Sequence, residues 1–468
     1  MTQTDGFAAR SSVQRLMFDV PRFISCVCDI ELHIIFRNMD RFIFETPVPE
    51  EKCLWHLAMD ATVTEELYRA SLNDPYLRGL CQCAAKSSVS LFPKSIADIR
   101  LLQDEIEKGN IHLASEVLVC CLIPNRRENY APLVVCAHGT CKRADAAFCK
   151  RIQECIIQRW NSDPKGSAAR GPLSTSQTDG ASVMAASAHS LFDNPFSEDD
   201  MPPCPQAEIF VRARLFPKYC GRGNCLGVVD GRDAKHVVKR FKTRANTKTM
   251  GFMLLSKFAY VRAYLRAIIK EASLLSDPQL AEIFNEGGAD AQNVAAAIRL
   301  ILALSSLEKM KPADFPARDP GQIKETLKDL RILGEYASCF ERFFLGKELT
   351  LEAHLDNLST MSHLLFALFR KNDTKVRRLF FLFLHLRAHN MASQFVPAQQ
   401  YSNTQRMIRA IFWSVATAQV NGIANYFPFL DSTDPLEQNF GIIRDLHGPG
   451  NQARAPVMNS VVAFAVIF

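Results

Sequence analysis

The sequence predicts a mixed α/β domain, then a large all-α block, then one closing helix. Three observations carry this. Between residues 50 and 240 several short apolar runs rich in β-branched residues are followed by a helical stretch. From about Gly251 to Phe429 almost every apolar residue recurs with helical period. Near the C-terminus, DPLEQNFGIIR (434–444) has the chemistry of a helix start. Asp434 suits the cap, Pro435 the first helical position, and Glu437 the carboxylate position of a capping box.

In chain order, CLWHLAMD (53–60) reads as a strand ending on Asp60, with Arg78 to Ala84 as its expected hairpin partner. SEVLVCCLIP (115–124) and APLVVCAHGT (131–140) read as further strands. Residues 143–160 carry a helical stripe of Ala147, Ile152, Cys155 and Ile156. Residues 161–206 are rich in Ser, Ala, Gly, Pro and Asp and are expected to be mostly a disordered loop. Order is expected to return at EIFVRARLF (208–216), and 226–242 to form a short strand, a turn and a basic helix. Further helices are expected over 252–275, 290–308, 321–346, 350–371 and 402–424, with prolines at several limits. In the closing helix, Leu436, Phe440 and Ile443 share an apolar face, while Glu437, Gly441 and Arg444 share another. A glycine at 441 suits a close approach to the backbone.

Composition bounds the function. The chain has 468 residues, enough for two or three units, and at 48% hydrophobic and 22% charged it is globular in character. A net charge of +6, from 55 Lys and Arg against 49 Asp and Glu, permits nucleic-acid binding without requiring it. No secretory signal is expected, and the apolar runs 379–386 and 461–468 fall short of the roughly 20 residues that span a bilayer. A soluble intracellular protein without a membrane partner is the expectation. The 15 cysteines lack regular spacing, which suits a reducing compartment. Close pairs occur at Cys26 and Cys28, Cys81 and Cys83, Cys136 and Cys141, and Cys220 and Cys225, none with zinc-knuckle spacing. The best metal candidate among them is CAHGTC (136–141) with His138; the alternative is buried thiols acting as small apolar side chains.

The chemistry candidates are acidic: Asp60 at a strand end, Asp179 in the polar turn QTDGAS, Asp233 in DAKHVVKR, and Glu437 on the closing helix. Carboxylates from separate elements can hold two Mg²⁺ ions for phosphodiester chemistry, because Mg²⁺ prefers hard oxygen ligands. The same residues also fit a strand terminus, a turn and helix caps.

The order of these motifs resembles the RNase H-like DDE transposases of the P-element kind, and more closely the fungal transposon-derived proteins related to them. The blocks that carry the resemblance are the strand ending in Asp60, residues 101–119, residues 133–153, the turn at Asp179, DAKHVVKRF (233–241) and DPLEQNFGIIRDLHG (434–448). The resemblance implies a leading segment (1–50), an RNase H-like core of mixed sheet and helices (51–244), a helical insertion (245–430), a final helix of the core (431–450) and a tail (451–468). It implies Asp60, Asp179 and Glu437 as the metal-binding catalytic triad, with Asp233 as the rival second acid. Lys235, His236, Lys239 and Arg240 are the expected contacts to a DNA backbone. The partners implied are transposon DNA ends and a homo-oligomer; the cofactor is Mg²⁺ in a two-metal site; the location is the nucleus.

Departures from the family pattern favour an inactive copy. ARGPLSTSQT before Asp179 is a poor strand, Val183 and Met184 stand where basic residues are typical, and no DNA-binding module is recognisable before the first strand. Residues 376–394 interrupt a block otherwise running from 365–375 into 395–408; the valine start and glutamine end suit a retained intron. No G-x-x-x-x-G-K-[ST] loop is present, so no nucleotide site is expected. The competing class is a non-enzymatic helical scaffold, in which nothing requires Asp60 and Glu437 to share a surface.

Overall fold

The computed structural model describes residues 32–65, 69–71, 74–78, 80–81, 94–128, 132–141, 146–179, 182–192, 224–248, 251–254, 259–286, 293–346, 348–382, 395–433, 435–437, 440 and 455–456. The expectations for 208–216, for Asp434, for 441–450, for 383–394 of the interrupting segment and for nearly all of the tail lie outside the described residues. The chain divides into two compact units. One comprises 1–206, 222–231 and 413–468; the other comprises 207–221 and 232–412.

The first unit is built on a mixed sheet. Its strands are β1 (Trp55–Glu65), β4 (Glu116–Pro124), β5 (Leu133–Thr140), β6 (Leu173–Thr178), β7 (Asn224–Cys225) and β8 (Val228–Arg232), in the order β5-β4-β1-β6-β8-β7. The two-residue β11 (Ala455–Pro456) pairs in parallel with the far end of β1. β4 runs antiparallel to both β1 and β5, whereas β6 runs parallel to β1. The expected partner of β1 is not its partner: β2 (Arg69–Ser71) and β3 (Asp74–Arg78) pair only with each other. β1 instead takes β4, whose apolar residues continue the buried faces of β1 on both sides.

Strict alternation sorts the sheet into two faces. Trp55, Leu57 and Met59 of β1 join Leu118, Cys120 and Leu122 of β4 in one cluster. That face is covered by α1 (Leu32–Met39), α3 (Ala146–Ser162) and α5 (Ser182–Phe192), through Ile35, Met39, Ile152, Ile156, Met184 and Leu191. The helix α2 (Ile96–Glu107) opens with a capping box formed by Ser95 and Asp98. On the opposite face lie Ala58, Val117, Val119, Cys121, Ile123, Val134 and Ala137. The buried thiols behave as packing groups, as burial pushes Cys53 up to about 11 and Cys121 further still.

Residues 161–206 are not a disordered loop through Phe192. They end α3, then form the short helix α4 (Ser167–Arg170), β6 and α5. β6, LSTSQT, is buried along its whole length and has almost no hydrophobic residues. It survives burial because its side chains are hydrogen-bonded inside the protein. Ser174 Oγ donates to the Trp55 carbonyl (3.3 Å), Ser176 Oγ accepts from Gln153 Nε2 (3.1 Å), and Gln177 Nε2 donates to Thr175 Oγ1 (3.2 Å). The chain can enter β6 only through a glycine. Gly171 has φ +111°, and a Cβ there would sit 2.0 Å from the Cys53 carbonyl oxygen.

The second unit is helical. It contains α6 (Ala234–Ala245), α7 (Arg262–Glu271), α8 (Asp277–Ile283), α9 (Val294–Leu307), α10 (Pro320–Leu345), α11 (Leu351–Leu382) and most of α12 (Ala398–Val420), which continues into the first unit at Trp413. The helix expected over 252–275 is shorter, because Phe252–Met253 (β9) and Ala259–Tyr260 (β10) form a small antiparallel pair first. Phe241, Phe252, Tyr336, Phe340 and Phe395 build an aromatic core with ring centroids 4.9–5.8 Å apart. The helix α11 carries the interrupting segment as far as Leu382. Among the described residues, no helix is long and apolar enough to cross a membrane.

Candidate functional site

Asp60 lies on the β1 face that also carries His56 and Ala58, since side chains two and four apart share a face. Two neighbours frame it. On the β4 side its antiparallel partner is Val119. On the β6 side the register pairs Met59 with Thr178, so the next residue of each chain is Asp60 and Asp179. Neighbouring strands run about 4.7–4.9 Å apart. Asp60, within β1, and Asp179, the residue after β6, therefore lie at the same level, about one strand spacing apart. Both are half-buried. β1 runs on to Glu65, so Asp60 is a mid-strand residue rather than the strand end expected from the sequence, because β4 keeps pairing with β1 as far as Val63. One oxygen of Asp60, Oδ1, accepts from the backbone N–H of Ala61 (2.8 Å).

The segment that carries Glu437 reaches the same face by a separate route. Leu436 and Phe440, at helical spacing, are buried in the cluster with Ala58, Val117, Val119 and Cys121. Glu437, half-buried, follows Leu436 directly. The turn ahead of this helix is tied down at two points. Asn125, just past β4, donates from Nδ2 to the Phe427 carbonyl (3.0 Å) and accepts the Phe427 N–H at Oδ1 (2.8 Å). His56 of β1 meets the Ser432 carbonyl through Nε2 (3.2 Å) and Asp431 through Nδ1 (3.4 Å). The first turn then opens on the Thr433 carbonyl, which accepts from the N–H groups of Leu436 and Glu437. So His56 anchors the turn, Ala58 packs in the cluster with Leu436, and Asp60 is the next residue along that face.

A buried polar set at this turn was not foreseen from the sequence. Asp431 Oδ2 accepts from Tyr426 Oη (2.8 Å) and Ser414 Oγ (3.3 Å), and Ser414 Oγ also meets Ser174 Oγ (3.1 Å). Burial pushes the Asp431 carboxyl above the ordinary carboxylate range, with His56 and the hydroxyl donors pulling against it. His56 sits in an apolar-looking strand, and a fully buried histidine there was the available hint. Gln177 is a second such residue. Its side chain crosses Gly231 of β8, where an added Cβ would meet it at 2.4–2.6 Å, and its Oε1 is buried without a hydrogen bond.

Asp233 belongs to the helical unit and caps α6. Its Oδ1 accepts from the N–H groups of Lys235 (2.7 Å) and His236 (3.4 Å). Ala234, Val237, Val238 and Phe241 bury the inner face of α6. Lys235 and Lys239, and His236 and Arg240, form two adjacent rows on its half-exposed side. The basic residues beyond them are inside: Lys242 and Arg244 are buried, and desolvation lowers Arg244 to about 10. In the CAHGTC segment, Cys136 is a core residue and His138 packs against Phe148 with ring centroids 4.9 Å apart. Neither belongs to a metal-holding group among the described residues.

No family model matches the sequence, and no curated protein matches it. A search of solved structures finds the Drosophila P element transposase strand transfer complex. The match has a TM-score of 0.56 at 13% identity and covers 98% of this chain and 85% of that one. The chain has a P element-like transposase fold. At this identity the likeness is one of backbone architecture, and it extends over both units of the transposase-like fold rather than over the sheet alone.

Proposed function

We propose that the chain is a transposon-derived protein whose DDE-type site is made by Asp60, Asp179 and Glu437, on a core of the RNase H-like kind, related to the fungal P-element-like proteins. The observation that carries this reading is the register of β1 and β6, which sets Asp60 beside Asp179 on the face where Leu436 and Phe440 dock. A helical scaffold has no need of that juxtaposition. The donor set fits Mg²⁺: three carboxylates from three elements, with the unsatisfied Oε1 of Gln177 on the same face. Asp60, Asp179 and Glu437 would hold the ion pair. Bound Mg²⁺ would supply the positive charge that stabilises an in-line displacement at phosphorus.

The residues themselves do three things. The middle of β1 and the end of β6 would hold two carboxylates at a fixed separation, so little reorganisation would be needed on loading. The anchored turn of Asn125, His56 and Asp431 positions Glu437. Lys235, His236, Lys239 and Arg240 offer a phosphate-binding face on α6, and DNA is the polyanion this reading requires. The reaction would be divalent-cation-dependent strand cleavage and transfer at transposon ends, in the nucleus. The poor strand-forming look of ARGPLSTSQT no longer argues for a decayed site, because LSTSQT forms β6.

The test uses the purified full chain. Mn²⁺ binding is titrated by electron paramagnetic resonance, and nicking of supercoiled DNA is followed with Mg²⁺ or Mn²⁺. Binding that disappears in D60N and D179N supports the site, and nicking that disappears with it supports the activity. Binding without nicking identifies an intact metal site in an inactive copy. Mn²⁺ binding equal in wild type, D60N and D179N sinks the proposal.

A further inference from the structure

A second cluster of metal-ligating side chains lies in the first unit, away from the carboxylates and made of softer donors. Cys81, His112 and Cys141 each offer one ligand atom, and these atoms all lie within 4.8 Å of one another. The three residues are far apart in sequence, and backbone pairing brings them together. Leu80 bridges Leu113 in antiparallel fashion, the Cys81 N–H donates to the His112 carbonyl (3.0 Å), and the Ser115 N–H donates to the Thr140 carbonyl (2.9 Å). Three chain segments thus run side by side at the edge strand β5, with Cys141 directly after it. Cys81 is fully buried and the other two are half-buried. His112 Nδ1 is buried and makes no hydrogen bond. A buried imidazole nitrogen without a hydrogen-bond partner is unfavourable unless something satisfies it.

We propose that Cys81, His112 and Cys141 hold a structural Zn²⁺ ion. Two thiolates and an imidazole are a soft donor set that selects zinc over Mg²⁺ or Ca²⁺. Zinc–sulfur bonds of about 2.3 Å and zinc–nitrogen bonds of about 2.0–2.1 Å place tetrahedral donors roughly 3.4–3.8 Å apart, so the cluster needs only a small contraction to close. Loading is balanced by proton release: two Cys S–H bonds break, two zinc–sulfur bonds and one zinc–nitrogen bond form, and two protons leave to solvent. Three protein ligands leave a fourth tetrahedral position for a further donor. The ion would fasten the chain leaving the β2–β3 hairpin to the edge of the sheet, where Leu80 bridges Leu113. Its ligands come from three separate segments rather than from a C-x2-C pair, so spacing along the sequence does not reveal it.

The full chain, purified under reducing conditions and dialysed against metal-free buffer, is analysed for bound metal by mass spectrometry. One zinc per chain is expected, falling to background in H112Q and in C141S. Cobalt substitution of the wild type is expected to give a thiolate-to-metal charge-transfer band that C141S lacks. Should either variant fail to fold, wild-type protein decides the matter by alkylation. Zinc should slow modification of Cys81 and Cys141 by about tenfold or more, and a chelator should restore it. Zinc retained in both variants, no zinc in the reduced wild type, equal alkylation with and without zinc, or a Cys81–Cys141 disulfide would each overturn the assignment.

Discussion

β4 and β6 are the two neighbours of β1, and they are held in place by opposite means. β4, EVLVCCLIP, buries apolar side chains on both faces and needs no side-chain hydrogen bonds to do so. β6, LSTSQT, is as deeply buried and relies on hydrogen bonds made by its hydroxyls and by the Gln177 amide nitrogen. The difference reaches the candidate site. Asp60 has Val119 on the β4 side and Asp179 follows its register on the β6 side. A buried strand that tolerates polar side chains can end in a carboxylate beside another carboxylate, whereas an apolar strand supplies a wall. In the proposed site the polar strand would supply a carboxylate and the apolar one a wall beside it.

Substitutions on the two sides of Asp60 test this division most sharply. D179N is expected to reduce Mn²⁺ affinity by more than the roughly 10–100-fold that changes in outer partners of a metal cost, while V119A leaves affinity within about twofold. Comparable losses from both would erase the contrast between the strands. Next in size is L122A on β4, which opens a cavity in the core and should cost about 2–5 kcal/mol in denaturant unfolding. S176A on β6 removes the acceptor of Gln153 Nε2 and should cost about 1–3 kcal/mol, through a stranded polar group rather than a void. A neutral S176A would mean that the hydroxyl network does not hold β6.

The smallest effect is a pH slope. Burial raises the Asp431 carboxyl above its ordinary value of 3.8, so the folded protein binds that proton more tightly than the unfolded chain does. The resulting stabilisation is complete below the unfolded value and is lost as pH rises through the folded one. D431N keeps an acceptor for Tyr426 and Ser414 but has no proton to lose, so its melting temperature should decline less over that interval. Parallel melting curves for wild type and D431N would show that Asp431 does not titrate this way.

Much of the fold was legible in the sequence. The apolar runs of β4 and β5, the helix α3 and the long helices α9 to α12 announce themselves by period and composition, because burial of apolar area is the force that forms them. Glu437 was legible as an early helix residue beside buried Leu436, and Asp60 as a strand residue, although β1 runs on to Glu65 instead of ending there. β6 was not legible, since hydropathy cannot distinguish Ser and Thr bonded inside a sheet from Ser and Thr in water. The partner of β1 was also hidden. A nearby segment looks like a hairpin mate, yet β1 pairs with the apolar strand further along, from Trp55 opposite Pro124 to Val63 opposite Glu116.

The sequence by itself determined which segments are helical or apolar strand and which residue types are available for chemistry. It did so because local period and side-chain polarity are properties of short windows. Only the tertiary structure decided that Asp179 follows Asp60 across a parallel pairing and that His56 and Asn125 hold the turn before Glu437. It alone brought Cys81, His112 and Cys141 into one cluster. Strand register and the path of distant segments are fixed by packing and hydrogen bonding summed over the whole unit, and no short stretch of chain contains that sum.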